Sequence, residues 1–152
     1  MKSLNLNAFT EIIHEHHQGG PGVASPANIK SLSKTVLAAI TGAAIEADII
    51  DSVEQPMVDL FGEHLPSGVD PKVSEITVAH LLALQAGLER TSGSNYGAWV
   101  ACDNWVNNAI TRPFVDEPGG EMLYSTGTSH LLSAALTHAS GETTHALAQR
   151  LL

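Results

Sequence analysis

The sequence predicts a mainly α-helical fold, and three observations carry that expectation. Apolar residues recur at helical spacing in several separate stretches, each bounded by a capping residue or by Gly and Pro. Strong runs of β-branched residues are absent. The chain has 152 residues and an ordinary apolar fraction, enough for one domain with a real core. No internal repeat, low-complexity tract or interdomain linker divides it, so residues 1–152 read as a single domain. Within it, a helix and loop over 1–27 precede a helical region over 28–152.

Residues 9–17 are expected to form a short helix, with Phe9, Ile12 and Ile13 on one face. Gln18-Gly19-Gly20-Pro21-Gly22 breaks it. Residues 23–29 read as extended, because Pro26 keeps Ser25 out of the helical region. Residues 31–47 form the most apolar helix. Val36, Leu37, Ala39, Ile40, Ala43, Ala44 and Ile45 cover nearly all its faces, which predicts a buried central helix. After a connector at 48–52, a short helix within 53–63 turns Met57, Leu60 and Phe61 inward, and 65–74 is a loop punctuated by Pro66, Gly68 and Pro71. Thr77 caps a helix that runs to Gln85 and buries Val78, Leu81, Leu82 and Leu84, with Gly87 as its C′ residue.

Residues 91–97 are polar and irregular. One helix over 99–110 would bury Trp99, Trp105, Val106 and Ile110. Loop follows at 113–120, then a short extended piece, Met122-Leu123-Tyr124. Residues 129–139 form an apolar helix ended by Ser140-Gly141, and 142–152 begin another. That last helix stops on apolar residues without a cap, which implies that more sequence follows.

The formal net charge is −9. Such an acidic surface repels phosphate backbones and argues against nucleic-acid binding. No basic cluster suits an anionic membrane, and no apolar run is long enough to span a bilayer. Cys102 is the sole cysteine, so no disulfide forms within the chain. Residues 1–7 hold no apolar core of signal-peptide length, so the chain is expected to be cytoplasmic unless a leader has been removed.

The chemistry concentrates at the start of the apolar helix. Ser31-Leu32-Ser33-Lys34 is an S-x-x-K tetrapeptide, and side chains three apart on a helix share a face. A serine there also sits among unpaired backbone N–H groups that favour negative charge. At the mouth of an apolar helix Lys34 is expected to lose water, which moves an amine toward base duty. A hydroxyl beside a base and near oxyanion donors is a nucleophile's setting. The second element is Tyr124-Ser125-Thr126-Gly127; a tyrosine accepts a serine's proton when nearby cations stabilise its phenolate. A plainer reading stays open for each: Ser31 as a helix N-cap, Lys34 as a solvated lysine, Tyr124 as a core tyrosine with a satisfied hydroxyl.

In this order the two elements resemble the serine β-lactamase and penicillin-binding-protein superfamily, above all the class C β-lactamases and their esterase relatives. Asn28-Ile29-Lys30-Ser31-Leu32-Ser33-Lys34-Thr35 is similar to the nucleophile segment of those proteins. The stretch from Ile76 to Leu88 is similar to their "ITVRHLLTHTSGL" segment. Glu117-Pro118-Gly119-Gly120, with Met122 to Gly127 after it, is similar to their E-P-G and Y-S-N segments, and Ser140-Gly141-Glu142 matches the S-G before their next helix. The resemblance implies that Ser31 is the acylated nucleophile. Lys34 would take its proton or hold Tyr124 as phenolate. Tyr124 would be the general base, and the Ser31 N–H half of the oxyanion hole. It implies no metal or organic cofactor.

Three departures shape the expectation. Thr126 stands where the superfamily has asparagine, which puts in doubt a hydrogen bond to the substrate carbonyl and leans toward generic esters. No K/H-[ST]-G tripeptide follows Tyr124, and that late strand supplies the second oxyanion N–H. Pro21-Gly22-Val23-Ala24 passes almost directly to Asn28, with no room for a hairpin. The chain therefore reads as the helical part of the α/β β-lactamase/transpeptidase-like fold, with little or no sheet. Its helices should expose apolar faces that favour a homo-oligomer or a complementing chain.

Two functions follow: a serine hydrolase acting on small-molecule esters or amides through Ser31, Lys34 and Tyr124, with Thr126 at the substrate, or a non-catalytic helical assembly module. Other residues have plainer readings. His14, His16 and His17 cluster without enough ligands for zinc. His80, His130, His138 and His145 are expected at surfaces or as satisfied core groups, Asp116 and Glu117 as solvated, and Cys102 as a buried apolar side chain. Tyr96, Trp99 and Trp105 should pack the core or line a cleft.

Overall fold

The computed structural model describes residues 25–152, with His16, Gly19 and Gly22 before them. The helix expected over 9–17, with His14 and His17, lies outside the described residues. The chain divides into two compact units, Met1–Lys30 and Ser31–Leu152. In the first, residues 25–30 are exposed, and the Asn28 side-chain oxygen accepts the Lys30 N–H at 2.8 Å. The second carries the α-helices found among the described residues.

The described residues form α-helices joined by 3-10 turns, with no strand among them. The helices are α1 (Ser33–Glu46), α2 (Met57–Phe61), α3 (Val78–Leu82), α4 (Tyr96–Val100), α5 (Trp105–Ile110), α6 (Thr126–Ser140) and α7 (Thr144–Leu151). This is the mainly helical architecture the pattern predicts. None of these helices is long and apolar enough to cross a membrane. Among the described residues no group of three or more His, Cys, Asp or Glu side chains is placed to hold a metal ion.

Local chemistry sets most boundaries. Thr77 caps α3 through a capping box with His80: the Thr77 oxygen accepts the His80 N–H, and His80 Nδ1 accepts the Thr77 N–H. Asn104, Ser125 and Thr143 cap α5, α6 and α7 with side-chain oxygens. Gly141 ends α6 in the left-handed conformation, where a β-carbon is disfavoured.

The core gathers around α6. Leu131, Leu132, Ala135 and Leu136 are buried, and α6 packs against α1, α2, α3, α5 and α7. Met57, Leu60 and Phe61 of α2 and Val78 and Leu81 of α3 complete this core with Ile50, Val73, Ile76 and Leu147. Each buried branched side chain contributes about 1.5–3 kcal/mol.

Several expectations need correction. The helix at Ser33–Glu46 is not the buried centre: only Ile40, Thr41 and Ala44 are buried in it, while Leu32 and Val36 are 62% and 42% exposed. Its pattern anticipates neighbours that the described residues do not supply. The helix begun at Thr77 stops at Leu82, not Gln85, because Leu84 turns to a positive φ of 59°. Gly87 is therefore no C′ residue. Its φ is 75°, and an added β-carbon would stand 2.5 Å from the Asp116 carbonyl oxygen, so glycine is needed for close backbone approach. The single helix expected over 99–110 is two, split where the Asn104 side chain caps α5 and competes with helix continuation. The loops expected at 65–74 and 91–97 carry 3-10 turns at Pro71–Glu75 and Gly93–Asn95.

The segment after α3 serves as a rail for the segment that leads into α6. Gly87 accepts the N–H groups of Val115 and Asp116, Gln85 accepts that of Gly119, and Leu84 accepts that of Leu123. The Gln85 amide also donates to the Gly120 carbonyl at 2.7 Å. These bonds satisfy loop backbone groups that would otherwise be stranded near the core. They also set the height at which Tyr124 leaves the loop.

Candidate active site

Ser31 sits in the 3-10 turn Lys30–Leu32 that leads into α1, and Lys34 lies in the first turn of α1. Their i, i+3 spacing brings the two side chains together: Lys34 Nζ donates to Ser31 Oγ at 3.4 Å. From the far end of the rail, the Tyr124 hydroxyl donates to the same Ser31 oxygen at 2.5 Å. Lys34 Nζ also stands 5.1 Å from the centre of the Tyr124 ring, within cation–π range. Two groups, one three positions along the chain and one 93, thus converge on the Ser31 oxygen.

Ser31 is exposed and caps no helix; α1 has no side-chain cap hydrogen bond. Lys34 is half-buried rather than stripped of water. Tyr124 is 42% exposed, so it is not a core tyrosine. Its phenol is held below the ordinary tyrosine range, first by the hydrogen bond with Ser31, then by Lys34 through a hydrogen bond and its charge, with slight desolvation opposing. A phenolate at this point accepts from both the serine hydroxyl and the ammonium. The arrangement can move a proton off Ser31 Oγ.

Thr126 does not join this trio. Its hydroxyl pairs with Ser92 Oγ at 3.1 Å, and its N–H donates to the same Ser92 oxygen at 2.9 Å. Next to it, the Gly127 N–H donates to Thr91 Oγ1 at 2.7 Å, and the Thr128 N–H to Ser125 Oγ at 3.4 Å. The Thr91 N–H donates to Ser125 Oγ at 3.2 Å, and the two hydroxyls pair at 3.3 Å. Thr91 and Ser92 are buried. In the sequence both read as irregular polar loop; the signal was a hydroxyl pair that begins three residues past Leu88, the end of the segment that resembles the family pattern.

Asp116 is not merely solvated. Its carboxylate accepts the N–H groups of Glu121 at 2.7 Å and Glu117 at 2.8 Å, and both bonds hold its pKa below the ordinary aspartate range. Glu117 pairs with Lys72 at 2.5 Å. Cys102 is half-buried and, with Val100, Asp103, Asn104, Trp105, Val106 and His130, lines a groove of about 430 Å³. Trp99 and Trp105 both meet the His130 ring edge-on, and burial lowers the His130 pKa. His138 stacks on His64 with ring centres 4.5 Å apart.

A family model described as Beta-lactamase matches residues 18–152. Among solved structures, the octameric penicillin-binding protein homologue from Pyrococcus abyssi aligns with a TM-score of 0.60 at 19% identity, over 79% of this chain and 29% of that one. At that identity the likeness shows the fold, and the chain spans 29% of that protein's length. No curated protein sequence matches.

Proposed function

Since the chain belongs to the β-lactamase family, a family of serine-hydrolase type, we propose that it supplies the nucleophile and proton-transfer half of an acyl-transfer site acting on esters or amides. The observation that carries this reading is the 2.5 Å hydrogen bond from the Tyr124 phenol to Ser31 Oγ, between residues 93 positions apart. The two side chains are both exposed, so burial of their own surface does not explain the contact.

In the proposed cycle Tyr124, as phenolate beside Lys34, takes the Ser31 proton. Ser31 Oγ attacks the substrate carbonyl, and the Ser31 N–H helps hold the oxyanion. The phenol then protonates the departing alcohol or amine. In the second half the phenolate takes a proton from water, whose oxygen attacks the acyl carbonyl and displaces Ser31 Oγ, and the phenol returns that proton to the serine oxygen. The Thr126 hydroxyl, engaged with Ser92, offers no amide to a substrate carbonyl, which favours esters over lactams. A complete oxyanion hole needs a second N–H, which in this proposal a second copy or a complementing chain supplies. The Pyrococcus protein is octameric, and an oligomer or a complementing chain over the bare face of α1 is the assembly that this proposal favours.

The second reading, a helical assembly module without catalysis, draws support from the exposure of Leu32 and Val36 beside the nucleophile. A p-nitrophenyl acetate assay separates the two. The hydrolase reading expects a burst of nitrophenol that scales with protein and disappears in Ser31→Ala. A folded protein that releases none above the Ser31→Ala background favours the module.

A further inference from the structure

The first three N–H groups of a helix have no partner within it. In α6 all three are met by hydroxyls: Thr126 N–H by Ser92, Gly127 N–H by Thr91, and Thr128 N–H by Ser125. Only the last is an ordinary N-cap. The other two acceptors come from a separate strip of chain, 34 and 36 positions away. The Ser125 oxygen in turn accepts the Thr91 N–H, so the two strips are laced in both directions.

The lacing is tight as well as polar. A β-carbon on Gly127 would stand 2.6 Å from Thr91 Cγ2 and 3.0 Å from the Ala109 β-carbon. Thr91 is 1% exposed and Ser125 is 2% exposed, so water does not substitute for these hydroxyls. The residue immediately before this knot is Tyr124. Its side chain is 42% exposed, and its hydroxyl meets Ser31 Oγ at 2.5 Å.

We infer that Thr91 and Ser92 are positioning residues: their hydroxyls pin the start of α6 and so hold the Tyr124 phenol on Ser31 Oγ. This role rests on the acyl-transfer reading for its catalytic consequence, but not for its geometry. Neither residue touches the reacting atoms. Each acts through the backbone at 125–127. A displacement of the phenol by about 1 Å is enough to slow a chemical step on the order of a hundredfold.

The test uses Thr91→Val and Ser92→Ala, with Thr91→Ser and Ser92→Thr as conservative partners, in the full chain. Folding is followed by circular dichroism. The first readout is the absorbance titration of tyrosinate, with Tyr124→Phe subtracted to remove Tyr96. In wild-type protein Tyr124 should ionise below the ordinary tyrosine range. In folded Thr91→Val and Ser92→Ala it should return toward that range, and the conservative partners should restore the low value. The second readout is the rate of Ser31 acylation by p-nitrophenyl acetate per folded molecule, expected to fall at least tenfold in the same two variants. Folded Thr91→Val and Ser92→Ala proteins whose Tyr124 titrates as in wild type would overturn the inference. A wild type that shows the low tyrosine titration but no acylation would instead refute the hydrolase reading and leave the positioning role supported.

Discussion

Helices α1 and α6 make an instructive pair. They run 14 and 15 residues, and both are built from alanine, threonine, serine and branched apolar residues. Yet α6 buries Leu131, Leu132, Ala135 and Leu136 among helices on several sides, while α1 buries only Ile40, Thr41 and Ala44 against α6 and α7. No residue in the first two turns of α1 is fully buried, and those turns hold Lys34 just after Ser31. Composition tells which side chains gain from leaving water; it does not tell whether a neighbour exists to receive them. The two halves of the candidate site therefore differ in support. Tyr124 stands just before a capped and buried helix start, whereas Ser31 stands in an exposed turn before a helix whose first turns bury nothing fully.

That contrast is easiest to break by truncation. Leu136→Ala should cost about 2–5 kcal/mol, because the core around α6 cannot fully collapse into the gap. Val36→Ala on the bare face of α1 should stay within about 0.5 kcal/mol. Urea unfolding midpoints at a common slope measure both. Equal losses would mean that α1 is covered in solution, for example by a second copy of the chain.

The next effect belongs to the knot at the start of α6. Gly127→Ala forces a β-carbon against Thr91 and Ala109 and should destabilise by about 1–3 kcal/mol. Gly42→Ala in the middle of α1 meets nothing within 4 Å and should be neutral or stabilising by up to about 1 kcal/mol. Thermal unfolding of the two variants gives opposite signs if the contrast holds.

The smallest effect is a pH dependence on the supported side. Burial holds the His130 imidazole below the ordinary value of 6.5. The unfolded chain therefore binds the proton first as pH falls, so stability should be level above 6.5 and decline below it, through the folded pKa. His130→Phe should flatten part of that decline, as read from unfolding midpoints at neutral and mildly acidic pH. An unchanged slope would place the titrating group elsewhere.

How much of this was legible in the sequence follows the same division. Thr77 and Gly141 announce helix ends through local chemistry, and the inward face of α2 follows from spacing, whereas α6 begins at Thr126, three residues before the start expected at 129, because Ser125 caps it. The meeting of Ser31 with Lys34 follows from three-residue spacing, and that of Ser31 with Tyr124 was expected only through resemblance. What could not be read depends on partners distant in the chain. Thr91 and Ser92 look like any polar loop until the N–H groups of residues 126 and 127 are set against them. Gly87 looks like a helix stop, although its role is contact with the backbone at Asp116. Asn104 divides the helix expected over 99–110 because its side chain competes for the backbone, an outcome that apolar periodicity does not weigh.

The central claim is that Ser31 Oγ is a nucleophile activated by Tyr124. Incubation with a fluorophosphonate, followed by peptide-level mass spectrometry, tests it most directly. The account predicts one adduct, on Ser31, absent in Ser31→Ala and formed about 10²–10⁴-fold more slowly in Tyr124→Phe. Folded wild-type protein that stays unmodified, or that carries the adduct on another serine, would contradict it.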